Sequence, residues 1–102
     1  MKKNKWKATK EQKEKFIPMI EKFVQRMEKN PDTKECIDFY NRGISPSQLK
    51  DILENDLGFK QVDFDRNGWD WDFWITMRKD GIDYMIYGTG MTFEMAFKLA
   101  DD

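Results

Sequence analysis

The sequence predicts an α+β domain in which three N-terminal helices pack on one face of a four-stranded antiparallel meander. Apolar residues recur at helical spacing up to about residue 58 and on alternate residues after it. Two hairpin signals, Asn67-Gly68 and Asp80-Gly81, lie in the second part. A chain of 102 residues, of which 39% are apolar and 15% aromatic, suits one domain with one core.

The first segment is strongly basic. Residues 1–8 are predicted to form a flexible arm, and residues 9–102 the single folded domain. Thr9 followed by Gln12 has the pattern of a capping box, because each side chain can bond to the other residue's backbone N–H. Apolar residues at helical spacing then predict a first helix over about 10–29.

Two shorter helices are predicted next. Asp32 with Glu35 repeats the capping pattern and predicts a helix over about 33–41. The segment Ser45–Gln48 combines a capping box with proline at the first helical position, and it predicts a helix over about 46–57 that ends before a glycine. The residues expected to point inward from these two helices are Ile37, Tyr40, Leu49, Ile52, Leu53 and Leu57.

Four consecutive strands are predicted from the alternating apolar residues and the turn signals between them. Their expected ranges are about 59–65, 70–79, 82–88 and 91–99. The last range is open to a second interpretation, since Thr92, Phe93, Ala96 and Phe97 also have helical spacing.

The turns predict a register for both hairpins. With Asn67-Gly68 as a two-residue turn, the aspartates face one another on one side of the sheet, and the apolar residues face one another on the other side. The pairs expected in the first hairpin are Asp65 with Asp70, Phe64 with Trp71, Asp63 with Asp72, and Val62 with Phe73. The pairs expected in the second are Arg78 with Asp83, Met77 with Tyr84, Ile75 with Ile86, and Trp74 with Tyr87.

This register predicts a solvent-facing surface rich in aspartate and aromatic side chains. Like charges directly opposite in a sheet are destabilising, and exposed aromatic clusters are unusual on a monomer, so a functional role is a reasonable hypothesis. The candidate partner-binding residues are Asp63, Asp65, Asp70, Asp72, Trp74, Met85 and Tyr87. The alternative interpretation is a solvated face without a partner.

A calcium site is a further alternative for the same stretch. Asp63, Asp65 and Asn67, followed by glycine, match the first half of a calcium-binding loop, in which alternate side chains supply oxygen ligands. The twelfth position is Trp74, where such loops need a bidentate glutamate. We therefore predict no metal site and no cofactor.

Composition argues against several classes of protein. There is no histidine and only one cysteine, Cys36, so an internal disulfide is impossible, the ligands for zinc are too few, and the cysteine lacks an imidazole partner. We expect no enzyme activity. No apolar run is long enough to cross a membrane and no signal peptide is visible, which predicts a cytoplasmic protein without a membrane partner.

Charge is divided unevenly and suggests nucleic acid as an alternative partner. Residues 1–34 contain 11 Lys/Arg and 5 Asp/Glu, whereas residues 35–102 contain 7 and 14. An arm carrying Lys2, Lys3, Lys5 and Lys7 could bind phosphates without sequence preference. Residues 36–57 also have the outline of a helix-turn-helix, but the second helix is acidic and would be repelled by DNA, so nucleic acid is the less favoured partner.

The stretches DFDRNGWDWDFW and GIDYMIYGTG give the chain the character of a known type of protein. It resembles the small anti-CRISPR and other anti-defence proteins of phages and mobile elements. This resemblance implies a non-catalytic inhibitor that binds a bacterial effector, such as a defence nuclease, inside a bacterial or phage-infected cell. Bacterial toxin-immunity proteins share the same physical profile. A homodimer that uses Trp74, Met85 and Tyr87 is a further possibility.

Overall fold

The computed structural model of the chain describes residues 6–67, 72–89 and 95–100. In chain order these residues form helix α1 (Lys10–Lys29), strand β1 (Cys36–Asp38), helix α2 (Pro46–Asp51) continued by a π-helical turn (Ile52–Asp56), and strands β2 (Lys60–Asn67), β3 (Asp72–Lys79), β4 (Ile82–Thr89) and β5 (Met95–Leu99). The class is α+β, as predicted. The prediction of three helices and four strands is wrong, because the described residues form two helices, the second extended by the π-helical turn, and five strands.

Helix α1 begins and ends where the sequence predicts. The Thr9 hydroxyl accepts the Gln12 backbone N–H at 3.1 Å, and the Gln12 side chain accepts the Thr9 backbone N–H at 2.8 Å, so the capping box is complete. Its apolar stripe is buried, and consists of Phe16, Ile20, Phe23, Val24 and Met27.

The helix predicted over 33–41 does not form, and strand β1 occupies its centre. Side chains alternate between exposed and buried from Cys36 to Tyr40, and the Phe39 backbone N–H donates to Met95 at 2.8 Å. Glu35, expected to complete a capping box, instead forms an ion pair with Arg26 at 3.3 Å. A helix this short is marginal on its own, whereas a short alternating segment gains by packing on an existing sheet. The helix-turn-helix outline is therefore also wrong.

Helix α2 confirms the predicted start and departs from the expected continuation. The Ser45 hydroxyl accepts the Gln48 backbone N–H at 3.1 Å. After Asp51 the backbone widens into the π-helical turn, in which the Leu57 N–H donates to Ile52 at 3.1 Å. The turn ends before Gly58, whose φ of +77° is one that glycine adopts without strain.

The five strands form one antiparallel sheet in the order β1-β5-β4-β3-β2. The four C-terminal strands are neighbours in sequence order, as a meander requires. Strand β1 then adds to the outer edge of β5, where Ile37 pairs with Phe97. Of the residues predicted for the last strand, those at 91–94 lie outside the described residues, and the remainder is a strand.

The predicted register of the first hairpin is wrong. Asn67 pairs with Asp72, so Asn67-Gly68 is not a two-residue turn. Phe64 pairs with Ile75 instead of Trp71, and a bulge interrupts the pairing between Gln61 and Asp63. The other predicted pairs of this hairpin fail as well: Asp65 pairs with Trp74, Asp63 with Thr76, and Phe73 with Arg66. Over residues 63–67 the displacement is an even number of residues, so these side chains keep their predicted faces. Beyond the bulge the register changes by one residue, so Gln61 pairs with the buried Met77 and Lys60 pairs with Arg78 on the opposite face.

The second hairpin has the predicted register. Trp74 pairs with Tyr87, and Arg78 with Asp83, across the turn at Asp80-Gly81. Both turn residues have positive φ, +52° and +79°, as the predicted type of two-residue hairpin turn requires.

The core lies between the helices and one face of the sheet. Ring contacts join the two layers: the Phe23 and Phe97 centroids are 5.6 Å apart, and Phe16 meets Phe39 edge to face at 5.5 Å. The strand residues buried beneath the helices are Ile37, Ile75, Met77, Tyr84, Ile86, Met95 and Phe97. The opposite face is left without a covering layer from the described part of the chain.

Candidate protein-binding face

The outer face of the sheet is the face that points away from α1 and α2. None of its described side chains is fully buried. Its charged members are Asp38, Lys60, Asp63, Asp65, Asp72, Arg78, Asp83 and Lys98, and its other members are Cys36, Trp74, Thr76, Met85, Tyr87, Thr89 and Ala96.

One row of this face crosses all five strands and is called the central row. Asp65 pairs with Trp74, which pairs with Tyr87, which pairs with Ala96, which pairs with Asp38. An aromatic centre is thus flanked by a carboxylate at each end. Directly paired side chains are close enough to interact, so the row is a continuous strip of surface.

The aromatic centre of the row is held in place by local contacts. The Trp74 and Tyr87 rings lie 5.7 Å apart at an angle of 43°. The Tyr87 hydroxyl lies 3.4 Å from Asp72 Oδ2, at the long end of hydrogen-bond distances. Trp74, Tyr87 and Asp72 are each partly exposed, so they are accessible from solvent while their positions are restricted.

The row beside the central row contains Met85, which the sequence predicted as a partner-binding residue together with Trp74 and Tyr87. Met85 lies between Thr76 and Lys98, and Asp63 is at the β2 end of the same row. The structure therefore brings together the predicted candidates Asp63, Asp65, Asp72, Trp74, Met85 and Tyr87. Asp70, the remaining candidate, lies outside the described residues.

Two of the aspartates have a local structural role that the sequence did not reveal. The Asp63 carboxylate accepts the backbone N–H of Phe64 at 2.9 Å, and the Asp65 carboxylate accepts the backbone N–H of Arg66 at 2.8 Å. β2 is an edge strand, and we infer that these two N–H groups lie on its open side, because each already donates to a side-chain carboxylate. Unpaired edge groups invite pairing with other chains, and the carboxylates occupy two of them.

The charge pair of the second hairpin lies at the other end of the outer face. Arg78 Nε donates to Asp83 at 2.7 Å, and a second guanidinium nitrogen donates at 3.1 Å. The hydrogen bond from Arg78 lowers the pKa of Asp83, while the same bond raises the pKa of Arg78. The acidic character of the face is thus reduced here and is greatest around the central row.

The β1 end of the central row was not predicted from the sequence. Asp38 and Tyr40 were assigned to a helix, and Ala96 received no functional role. Tyr40 was expected to point inward but is 51% exposed. The available signal was Asp38 between the apolar residues Ile37 and Phe39, and three residues are few for a pattern of period two.

Part of the predicted apolar side of β2 lies beyond the helical layer. Phe64 pairs with the buried Ile75, yet it is 52% exposed, and Val62 in the bulge is 38% exposed. The helices therefore end short of the β2 edge.

The predicted basic arm is described only in part. Lys2, Lys3 and Lys5 lie outside the described residues, and Lys7 lines a cleft that also contains Asp51 and Glu54. These lysines remain candidates for phosphate binding by prediction alone.

The end of the arm is attached to α2 through Asp51. Its carboxylate accepts the Ala8 backbone N–H at 2.8 Å and an Asn55 side-chain N–H at 2.6 Å. Burial acts to raise the pKa of Asp51, but these hydrogen bonds and the charges of Lys13 and Lys7 outweigh it, so the pKa lies below its ordinary value.

The half-match to a calcium loop falls on an extended strand. Asp63 and Asp65 belong to β2, and each carboxylate bonds to the next backbone N–H. Within residues 6–67, 72–89 and 95–100, no group of three or more Asp, Glu, Cys or His side chains is arranged to hold a metal ion.

No protein-family model, curated protein or solved structure matches the chain. Among the described residues, no helix has the length and apolar character needed to cross a membrane.

Proposed function

We propose that this protein is a non-catalytic binding module whose outer face docks on a basic surface of another protein. The central row carries the proposal, because it combines stacked aromatic rings with a carboxylate at each end on a sheet face that the helices do not cover. Aromatic side chains dominate the affinity of many interfaces, whereas charges mainly steer the encounter and set the register.

The chemistry of the face favours a partner with a positively charged groove. Asp38, Asp63, Asp65 and Asp72 surround the aromatic centre, and none of them forms an ion pair with a described lysine or arginine. A protein that binds nucleic acid presents such a groove, since it must neutralise phosphates. The narrower form of the proposal is an anti-defence protein that blocks a bacterial nuclease by occupying its nucleic-acid groove. This narrower form rests on the resemblance noted from the sequence.

The proposal is tested by removing negative charge from the outer face with substitutions that keep the size of each side chain. Asp63, Asp65, Asp70 and Asp72 are replaced by asparagine, which can still accept the edge N–H groups of β2. Wild type and variant are used as bait in bacterial lysate treated with nuclease, so that no nucleic acid bridges the proteins. A protein retained by the wild type and lost by the variant is the expected result.

A matched control removes the same charge from another surface. Glu14, Glu21, Glu28 and Asp32 are exposed on α1 or just after it, and replacing them by glutamine or asparagine changes the net charge equally. This control is expected to retain the partner. Equal capture by all three proteins would show that the outer face does not select the partner, and the proposal would be abandoned.

A further inference from the structure

A cleft of about 300 Å³ opens beside the central row, at the β1 edge of the sheet. Its volume lies at the lower end of the range in which protein clefts hold small molecules, about 300–1,000 Å³. This size suits one inserted side chain better than a large ligand. The residues that line it are Cys36, Asp38, Tyr40, Tyr87, Met95 and Ala96.

The cleft has an aromatic residue on either side of a small one. Ala96 pairs with Tyr87 on β4 and with Asp38 on β1, so a methyl group lies between the two strands. Tyr40, just beyond β1, is 51% exposed. Two tyrosines and an alanine thus leave space for a planar group to lie against a ring.

The turn after β1 fixes the position of the acidic group. Asp38 Oδ1 accepts the backbone N–H of Tyr40 at 2.9 Å, and Arg42 Nε donates to the backbone carbonyl of Asp38 at 2.7 Å. Arg42 therefore binds the main chain. The Asp38 carboxylate has no ion pair with any described lysine or arginine, so its charge is available to an incoming cation.

We propose that this cleft binds one arginine side chain of the partner protein. A guanidinium is planar and weakly hydrated, so it can stack on a tyrosine ring while it donates to a carboxylate. A lysine ammonium lacks the flat surface and the paired donors that such a site uses. The inference rests on the proposed function, because it names the side chain that a basic partner inserts beside the central row.

The test uses two defined peptides, hexa-arginine and hexalysine, titrated into the labelled protein under the same ionic strength and followed by amide chemical shifts. Hexa-arginine is expected to bind more tightly and to shift the amides of Asp38, Tyr40, Tyr87 and Ala96. Tyr40→Ala is expected to weaken hexa-arginine binding about two- to five-fold, the range that an exposed cation–π contact supports.

Two further variants separate the contributions of space and charge. Ala96→Leu fills the cleft and is expected to abolish the preference for arginine. Asp38→Asn can still accept the Tyr40 N–H but lacks the charge, and it should weaken both peptides. Asp38, Tyr40 and Ala96 are exposed or partly exposed, so replacing them is not expected to disrupt the core. Unchanged amide chemical shifts away from the cleft verify that each variant is folded.

The outcome is independent of the test of the proposed function. If both peptides bind equally, or if Tyr40→Ala and Ala96→Leu leave hexa-arginine binding unchanged, the arginine site is refuted even where the acidic face selects a partner. A preference for arginine that these variants remove supports the site even if the four-aspartate variant retains its partner.

Discussion

The carboxylate of Asp65 accepts the backbone N–H of Arg66, its immediate neighbour, at 2.8 Å. The same arrangement joins Asp63 to Phe64, so alternate residues of β2 bond to the edge groups that follow them. We therefore expect acidic side chains on this strand to protect an open sheet edge, in addition to giving the outer face its charge.

Replacing both of these aspartates by alanine is expected to cause self-association. Asp63→Ala with Asp65→Ala leaves the two edge N–H groups without side-chain acceptors, beside the exposed Val62 and Phe64. Sedimentation velocity over a range of concentrations measures the effect. The double asparagine variant, which loses charge but keeps acceptor oxygens, should have the same oligomeric state as the wild type. If both variants self-associate, charge alone protects the edge; if neither does, these carboxylates do not protect it.

The hydroxyl of Tyr84 is buried and has no hydrogen-bond partner among the described residues. A buried unsatisfied polar group costs about 1–3 kcal/mol. Tyr84→Phe is therefore expected to leave the free energy of unfolding unchanged or to raise it by about 1 kcal/mol. Urea denaturation provides the measurement, with Tyr40→Phe on the exposed surface as the control. A clear loss of stability in Tyr84→Phe would mean that the hydroxyl has a partner.

Ionisation of Tyr84 is expected to make the free energy of unfolding depend on pH in the alkaline range. Burial, together with the charges of Glu28 and Asp80, raises the pKa of Tyr84 to about 12 from an ordinary value of 10.0. The folded protein thus retains this proton where the unfolded chain has lost it. The contribution is fully present below pH 10.0 and declines as pH rises towards about 12. Urea midpoints across this window should fall less in Tyr84→Phe than in the wild type.

Asp51 predicts an acid-sensitive attachment of the N-terminal segment. Because the pKa of Asp51 is lowered in the folded state, its contribution is present above the ordinary value of 3.8 and is lost as pH falls through the folded pKa. Asp51→Ala should remove the protection of the Ala8 amide against hydrogen exchange at neutral pH. Asn55→Ala, which removes only the second bond to this carboxylate, is expected to have the smaller effect. Unchanged Ala8 exchange in Asp51→Ala would contradict the attachment.

Capping chemistry and turn chemistry were the parts of the fold that the sequence predicted best. The Thr9 and Ser45 caps and the Asp80-Gly81 hairpin depend on neighbouring residues alone, and all three are observed. The capping pattern at Asp32 and the two-residue turn at Asn67-Gly68 were predicted on the same grounds and are not observed. β1 could not be identified in this way, since its partner β5 lies far along the chain and the segment itself is short. The register of the first hairpin failed because a bulge at Val62 and a longer connection after Asn67 replace the two-residue turn.

The residues of the candidate face could be predicted wherever the sequence showed which side of the sheet each side chain points to. An error of an even number of residues left Asp63, Asp65 and Trp74 on the expected side. The β1 end of the face, with Asp38 and Tyr40, depended on a long-range pairing and was missed.

The pairing of β1 with β5 also determines when the fold is completed during synthesis. Cys36 faces Lys98, so β1 leaves the ribosome about 60 residues ahead of its partner. At roughly 5–20 residues per second, this delay lasts on the order of 3–12 seconds. Throughout that time β1 lacks the strand with which it pairs in the finished sheet. The nascent chain therefore carries an unpaired strand with the apolar residues Ile37 and Phe39 until β5 has been synthesised. A premature stop before Met95 would leave that strand unpaired for the lifetime of the truncated product.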